Sequence, residues 1–356
     1  MFNIKIKNNR FPLTLIATSV LFLGISSIHN KPSYAQKNNV VDRQKPFNLA
    51  GERTKRNHIE TYLNRGNLYY GRQQWKLALD NYEIAIRLDP NNAYGYLNRG
   101  NVYYQQKQWK LALDDYNRAI ELDPYLAMAY NNRGWLYWEQ KKSQLALDDF
   151  ERAIEISPNL ALAYNNRGLL YAQEKRWELA VADFSKAIEM SPNSILSYYY
   201  RALIYSEQQQ WTLAVADFSK AIEMSPNFVE AYQNRSLVYL QQKEWELAIA
   251  DCDRLIEINP RNFEAYYNRG LSYQKSKQYQ NAIADYSKAI QINPKLAPAY
   301  LNRGLVRYQL EQIQTGIKDL KTSARLYREQ GNRNEYQKIM IFLKRLQTIP
   351  GAELGA

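Results

Sequence analysis

One cysteine, Cys252, occurs in 356 residues. No intramolecular disulfide can form, and a thiolate-rich zinc site is excluded. Two histidines, His29 and His58, are too few for a His-rich metal centre and argue against a Ser-His-Asp hydrolase. The 14 glycines and 12 prolines are too sparse for a collagen-like or low-complexity chain. No glycine-rich phosphate loop and no metal-ligand spacing is found, so no cofactor is expected. Acid is scarcer than base, at 35 against 47, and the net charge is +12. The excess sits at the ends: +4 in residues 1–35, +4 in 36–58 and +5 in 297–356, which leaves −1 for 59–296. A nucleic-acid footprint needs a basic face on the folded part, so no nucleic-acid partner is expected.

The first segment carries Lys5, Lys7 and Arg10, then an apolar stretch from Leu13 to Ile25, then Ser33-Tyr34-Ala35. This order predicts a signal peptide over 1–35 with cleavage after Ala35, and an exported protein, periplasmic or secreted. An uncleaved signal is the alternative, and with the bound partner it would be the only membrane contact. Residues 36–58 are polar and basic and read as a flexible leader.

The tripeptide Asn-Arg-Gly begins at residues 64, 98, 132, 166, 268 and 302. Four successive copies lie 34 residues apart, and the remaining gap is three such steps. Tyr200-Arg201-Ala202 and Asn234-Arg235-Ser236 fill the missing places. Prolines 90, 124, 158, 192, 226, 260 and 294 keep the same step. With Gly66 at position 8, eight repeats follow: 59–92, 93–126, 127–160, 161–194, 195–228, 229–262, 263–296 and a degenerate 297–330. Position 4 is always tyrosine, positions 11 and 20 are Tyr and Ala in the first seven, and position 24 is aromatic in six. These columns account for most of the 30 tyrosines. Positions 4, 7, 8 and 11 share one face of a first helix, and 20, 24 and 27 one face of a second. Proline at 32 sets the next boundary.

This pattern resembles the tetratricopeptide repeat. The resemblance implies an all-α, right-handed superhelical solenoid of helix–turn–helix units. One pair cannot bury its apolar face alone, but stacked pairs can. Repeat eight departs at Arg307, Gly316 and Arg328. An amphipathic stretch with Tyr336, Met340, Ile341, Leu343 and Leu346 predicts a capping helix within 331–348, ahead of a tail at 349–356.

In similar repeats position 6 borders a concave surface, where an asparagine ladder can grip the backbone of an extended peptide. Here that column is Asn64, Asn98, Asn132, Asn166, Asn234, Asn268 and Asn302, interrupted by Tyr200. Either the ladder grips a peptide, since a carboxamide both donates and accepts, or it ties neighbouring repeats together. The inner face varies more: Asn67, Tyr70, Asn101, Tyr104, Trp135 and Trp138 give way to Leu169 and further leucines at position 9. Exposed Trp and Tyr are enriched in binding hot spots, although helix packing could bury this stripe instead. The carboxylate clamp of chaperone-binding relatives is incomplete: Asn67 and Asn98 match it, whereas Leu63, Met128 and Asn132 replace its basic residues.

Arginine fills position 7 throughout, and aspartate fills position 23 in all but the first repeat, where Asn81 stands. A paired ladder between the two helices is expected. Cys252, at the aromatic position 24, is expected to be buried and inert. The reading is an exported, non-catalytic scaffold binding a protein or peptide in its groove, as in assembly of an envelope or membrane complex. It would be a monomer or weakly self-associating. Cell-wall glycan binding through the aromatic stripe is the alternative, and catalysis is not expected.

Overall fold

The computed structural model describes residues 49–347. The predicted signal, most of the leader and the tail lie outside these residues. Among the described residues there are 17 helices and no strand. Eight pairs follow in order, first helix then second: α1 Leu49–Gly71 and α2 Trp75–Leu88; α3 Ala93–Gln105 and α4 Trp109–Leu122; α5 Ala127–Glu139 and α6 Ser143–Ile156; α7 Ala161–Gln173 and α8 Trp177–Met190; α9 Ile195–Glu207 and α10 Trp211–Met224; α11 Val229–Gln242 and α12 Trp245–Ile258; α13 Phe263–Lys275 and α14 Tyr279–Ile292; α15 Ala297–Gln309 and α16 Ile313–Glu329. A final helix, α17, spans Arg333–Gln347. The fold is an all-α stack of helix–turn–helix units in two compact parts, one ending at Ser197 and the other starting at Tyr198.

The predicted leader is shorter than expected. Helix α1 begins at Leu49, ten residues before the first repeat. Good helix formers such as Ala50, Glu52 and Lys55 occupy these places, and no proline stands between Pro46 and Pro90.

In the first seven repeats each second helix stops one residue before its C-cap, whose N–H reaches back to position 27, as from Asp89 to the Ala85 carbonyl at 2.9 Å. Proline follows and forbids continuation. Two first helices are capped by asparagine, Asn92 accepting from the Gly95 N–H and Asn262 from the Ala265 N–H. The turn inside each pair depends on position 15, left-handed in all eight repeats: Gln73, Lys107, Lys141, Lys175, Gln209, Lys243, Lys277 and Glu311, with φ of 57–65°. None of these is glycine, the residue that adopts this region without penalty.

Within a pair, glycine at position 8 lies against the aromatic ring at 24. A Cβ on Gly168 would sit 3.0 Å from the Phe184 ring, and one on Gly270 2.8 Å from the Tyr286 ring. Phe150, Phe184 and Phe218 are fully buried, each contributing about 1.5–3 kcal/mol of apolar burial. Cys252 is buried in the same column, and burial pushes its thiol up to about 12.

The arginine–aspartate ladder forms as expected. From Arg99–Asp115 to Arg303–Asp319, seven guanidinium groups grip the aspartate sixteen residues on, for example Arg167 Nε and Nη2 to Asp183 at 2.9 and 2.8 Å. Several also use Nη1 on position 25 of the preceding repeat: Arg133 on Asn117 (2.8 Å), Arg235 on Ser219 (2.8 Å) and Arg303 on Ser287 (2.9 Å). Each of these arginines staples its own helix pair and the neighbouring one. Burial holds Asp115, Asp149, Asp183 and Asp251 above the ordinary carboxylate value, because desolvation outweighs the adjacent guanidinium.

Repeat eight uses its departures together. Arg307 Nη1 joins Arg303 on Asp319 at 2.7 Å. Gly304 and Gly316 let α15 and α16 approach until a Cβ on either would lie 2.9 Å from the other's carbonyl oxygen. With Arg328 in place of proline, α16 runs to 17 residues, and Gly331 beyond its C-cap turns the chain away with φ 75°. Helix α17 covers this repeat as a cap, but its buried face differs from expectation. Ile339, Leu343 and Leu346 pack on Ile317, Leu320 and Ala324. Met340 and Ile341 face outward, because the i, i+4, i+7 stripe begins at Ile339.

Candidate functional site

In the part ending at Ser197, the first helices α1, α3, α5 and α7 lie side by side and form a wall. In the part starting at Tyr198, α11, α13 and α15 do the same. The predicted binding residues are on these helices, and the structure sorts them into two groups.

The asparagines tie repeats together. Asn98 Nδ2 donates to Asn67 Oδ1 at 3.2 Å, and Asn132 Nδ2 to Asn101 Oδ1 at 2.8 Å. Asn67 and Asn101 each also accept a buried hydroxyl, from Tyr82 at 2.8 Å and Tyr116 at 3.0 Å. Asn131 Nδ2 donates to Asn132 Oδ1 at 3.0 Å, and Asn131 Oδ1 accepts from Asn166 Nδ2 at 2.9 Å, with Asn166 buried. In the second part, Asn234 Nδ2 reaches Tyr199 Oη (3.1 Å) and the Glu230 carbonyl (2.8 Å), and Asn302 Nδ2 reaches Tyr267 Oη (3.0 Å). Asn64 is exposed and Asn268 half-buried. A carboxamide has two donor hydrogens and two acceptor lone pairs, so Asn132 keeps one of each for a ligand.

The aromatic stripe is partly withdrawn from the surface. Tyr104 and Leu169 are buried in the packing between repeats, where the sequence reading had them lining a groove. Trp135 Nε1 donates to the Tyr104 hydroxyl at 2.7 Å, and that hydroxyl donates to Glu139 Oε1 at 2.7 Å. Burial and the Glu139 carboxylate raise the Tyr104 phenol well above its usual value. Tyr70 packs edge-on against Trp75 with centroids 5.4 Å apart, and burial pushes its phenol up to about 12. Trp138 Nε1 donates to Gln173 Oε1, and the Trp135 and Trp138 rings meet edge-to-face at 4.8 Å. Both tryptophans are half-buried.

Sequence reasoning missed the polar partners at position 13. Gln105, Glu139 and Gln173 each hold the aromatic at position 12 of the preceding repeat: Tyr70, Tyr104 and Trp138. The 35-residue offset between an aromatic and a Gln or Glu is the signal that could have found them.

Among the described residues no group of His, Cys, Asp and Glu could hold a metal ion, and no helix is long and apolar enough to cross a membrane.

A search of curated proteins finds no match. Among solved structures, PilF of Pseudomonas aeruginosa is similar at 19% identity and TM-score 0.54, over 63% of this chain and 99% of that one. The C-terminal part of a TPR repeat-containing protein from Cytophaga hutchinsonii is similar at 17% identity and TM-score 0.54, over 67% and 98%. These likenesses concern the fold. Family models described as tetratricopeptide repeat match residues 91–159, 161–194, 184–216 and 263–296, and one described as TPR repeat matches 66–107, 202–243 and 237–277. The models follow the helix pairs from one repeat to the next, and the chain belongs to the tetratricopeptide repeat family.

Proposed function

We propose that this chain is a non-catalytic scaffold and that the wall around Trp135 and Trp138 holds a segment of a partner protein. Members of this family bind protein or peptide partners, and their fold supports a protein-interaction scaffold. One observation carries the finer reading. Both indole N–H groups are taken by Tyr104 and Gln173, while the rings remain only half-buried. The free remainder is apolar ring surface beside Asn132, which retains a donor and an acceptor. That combination suits an apolar or aromatic side chain on an extended backbone. A sugar would need the polar groups already engaged, so the glycan alternative is the weaker one. An N-terminal signal cleaved after Ala35 would place the scaffold outside the cytoplasm, with assembly of an envelope or membrane complex as its setting.

Affinity capture from envelope extract tests this, with residues 36–356 as bait. The comparison is a Trp135→Ala/Trp138→Ala/Asn132→Ala version matched in helicity and melting temperature. A protein held by the wild type and lost by the triple variant supports the proposal. Equal recovery by both contradicts it.

A further inference from the structure

We propose that the outer face of α1 docks an acidic amphipathic helix of a partner protein. Position 10 makes the case. In repeats two to eight it is Val102, Leu136, Leu170, Ile204, Val238, Ser272 and Val306, each 0–1% exposed. Val102 packs with Ala78 and Tyr82, Leu170 with Ala146 and Phe150, and Val306 with Ala282 and Tyr286 of the preceding repeats. In repeat one the residue is Leu68, 51% exposed. Position 3 repeats the contrast, with a small buried residue in the later repeats and exposed Thr61 in the first. Helix α1 therefore presents one side of a helix–helix contact that no helix among the described residues covers.

The charge pattern identifies the occupant. Every other arginine at position 7 grips an aspartate at 23. Asn81 replaces that aspartate in repeat one, and its Nδ2 is spent on the Leu77 carbonyl. Arg65 is exposed and touches the Tyr62 ring, and among the described residues no carboxylate pairs with it. His58, Thr61, Arg65 and Leu68 on the helix and Arg72 just past its end are all exposed at alternating steps of three and four, a single stripe. An incoming helix with an apolar ridge would cover Leu68, and its carboxylates would meet Arg65 and Arg72. A second copy of the same stripe would bring arginine against arginine.

Fluorescence anisotropy with the full chain tests this. The probe is a labelled helix-forming peptide with Leu and Ala on one face and Glu along both flanks, and a version with Lys for Glu is the control. The acidic peptide should bind and the basic one should not. Arg65→Glu and Leu68→Asp should each weaken binding about tenfold or more. Asn81→Asp gives Arg65 its own carboxylate without changing the exposed stripe, and should also weaken binding. Leu145→Asp, at a leucine similarly exposed on α6, should leave binding unchanged. The proposal is overturned if no peptide binds, if Arg65→Glu binds as wild type does, or if Leu68→Asp abolishes a self-association that excludes the peptide.

Discussion

At the residue scale, Asp183 shows what the ion-pair ladder does. It is 5% exposed and accepts two bonds from Arg167. Asp183→Ala leaves a guanidinium partly buried without its counter-charge, and should cost about 3–5 kcal/mol in denaturant unfolding. The Arg167→Met/Asp183→Leu pair should cost clearly less, because no charge is then stranded. Equal losses for the single and double variants would show that the ladder acts through packing alone. Both columns were legible in the sequence, because charges of opposite sign recur at one fixed offset. The fate of Asn67 and Asn101 was only partly legible. Asparagine stands at position 9 in repeats one and two, where 24 is tyrosine, and Trp135, Leu169 and Leu203 accompany phenylalanine, but Tyr286 of repeat seven goes with Leu271 and donates to Gln274 instead. The Trp135–Tyr104 bond was not legible, because it depends on side-chain rotamers and on how neighbouring first helices are set.

At the element scale, two substitutions run against simple expectation. Alanine fills position 20 in seven repeats, so Gly316→Ala restores the repeat's own residue. The new Cβ would lie 2.9 Å from the Gly304 carbonyl oxygen, and backbone cannot yield as a side chain can. The variant should lose about 1–3 kcal/mol despite better helix propensity, and a rise in melting temperature would contradict this packing. Conversely, Lys107→Gly and Lys175→Gly relieve a left-handed turn that costs a non-glycine residue about 1–2 kcal/mol. Each should stabilise by up to about 1 kcal/mol, the remainder being lost to glycine's extra freedom in the unfolded chain. Helix boundaries were readable wherever proline ends the second helix. They failed at α1, where no proline in 49–58 stops a helix, and on α17 the run of five apolar residues from Ile339 to Leu343 left the buried face ambiguous by one position.

For the whole molecule, the buried tyrosines at positions 12 and 24, with Tyr327, set the response to alkali. Burial raises the phenols of Tyr82, Tyr104, Tyr116 and Tyr286, and places Tyr70 and Tyr327 at about 12. Unfolded tyrosine titrates near 10. Between those values the unfolded chain has released protons that the folded chain retains, so stability falls as pH rises. Each such group contributes about 1.4 kcal/mol per pH unit inside its window. Unfolding should therefore be steep between pH about 10 and 12, with tyrosinate absorbance rising in two stages, exposed phenols first. Cys252 should resist thiol reagents at pH about 9 until the chain unfolds.

The wall around Trp135 and Trp138 remains the centre of the account, and one selection tests it directly. A random peptide library is panned on the folded chain, and the enriched peptides are titrated against wild type and Trp138→Ala, a variant checked for an unchanged fold. The account predicts convergence on peptides with an apolar or aromatic anchor, which lose about tenfold or more in affinity for the variant. Enriched peptides that bind both proteins equally would place the binding surface elsewhere and contradict it.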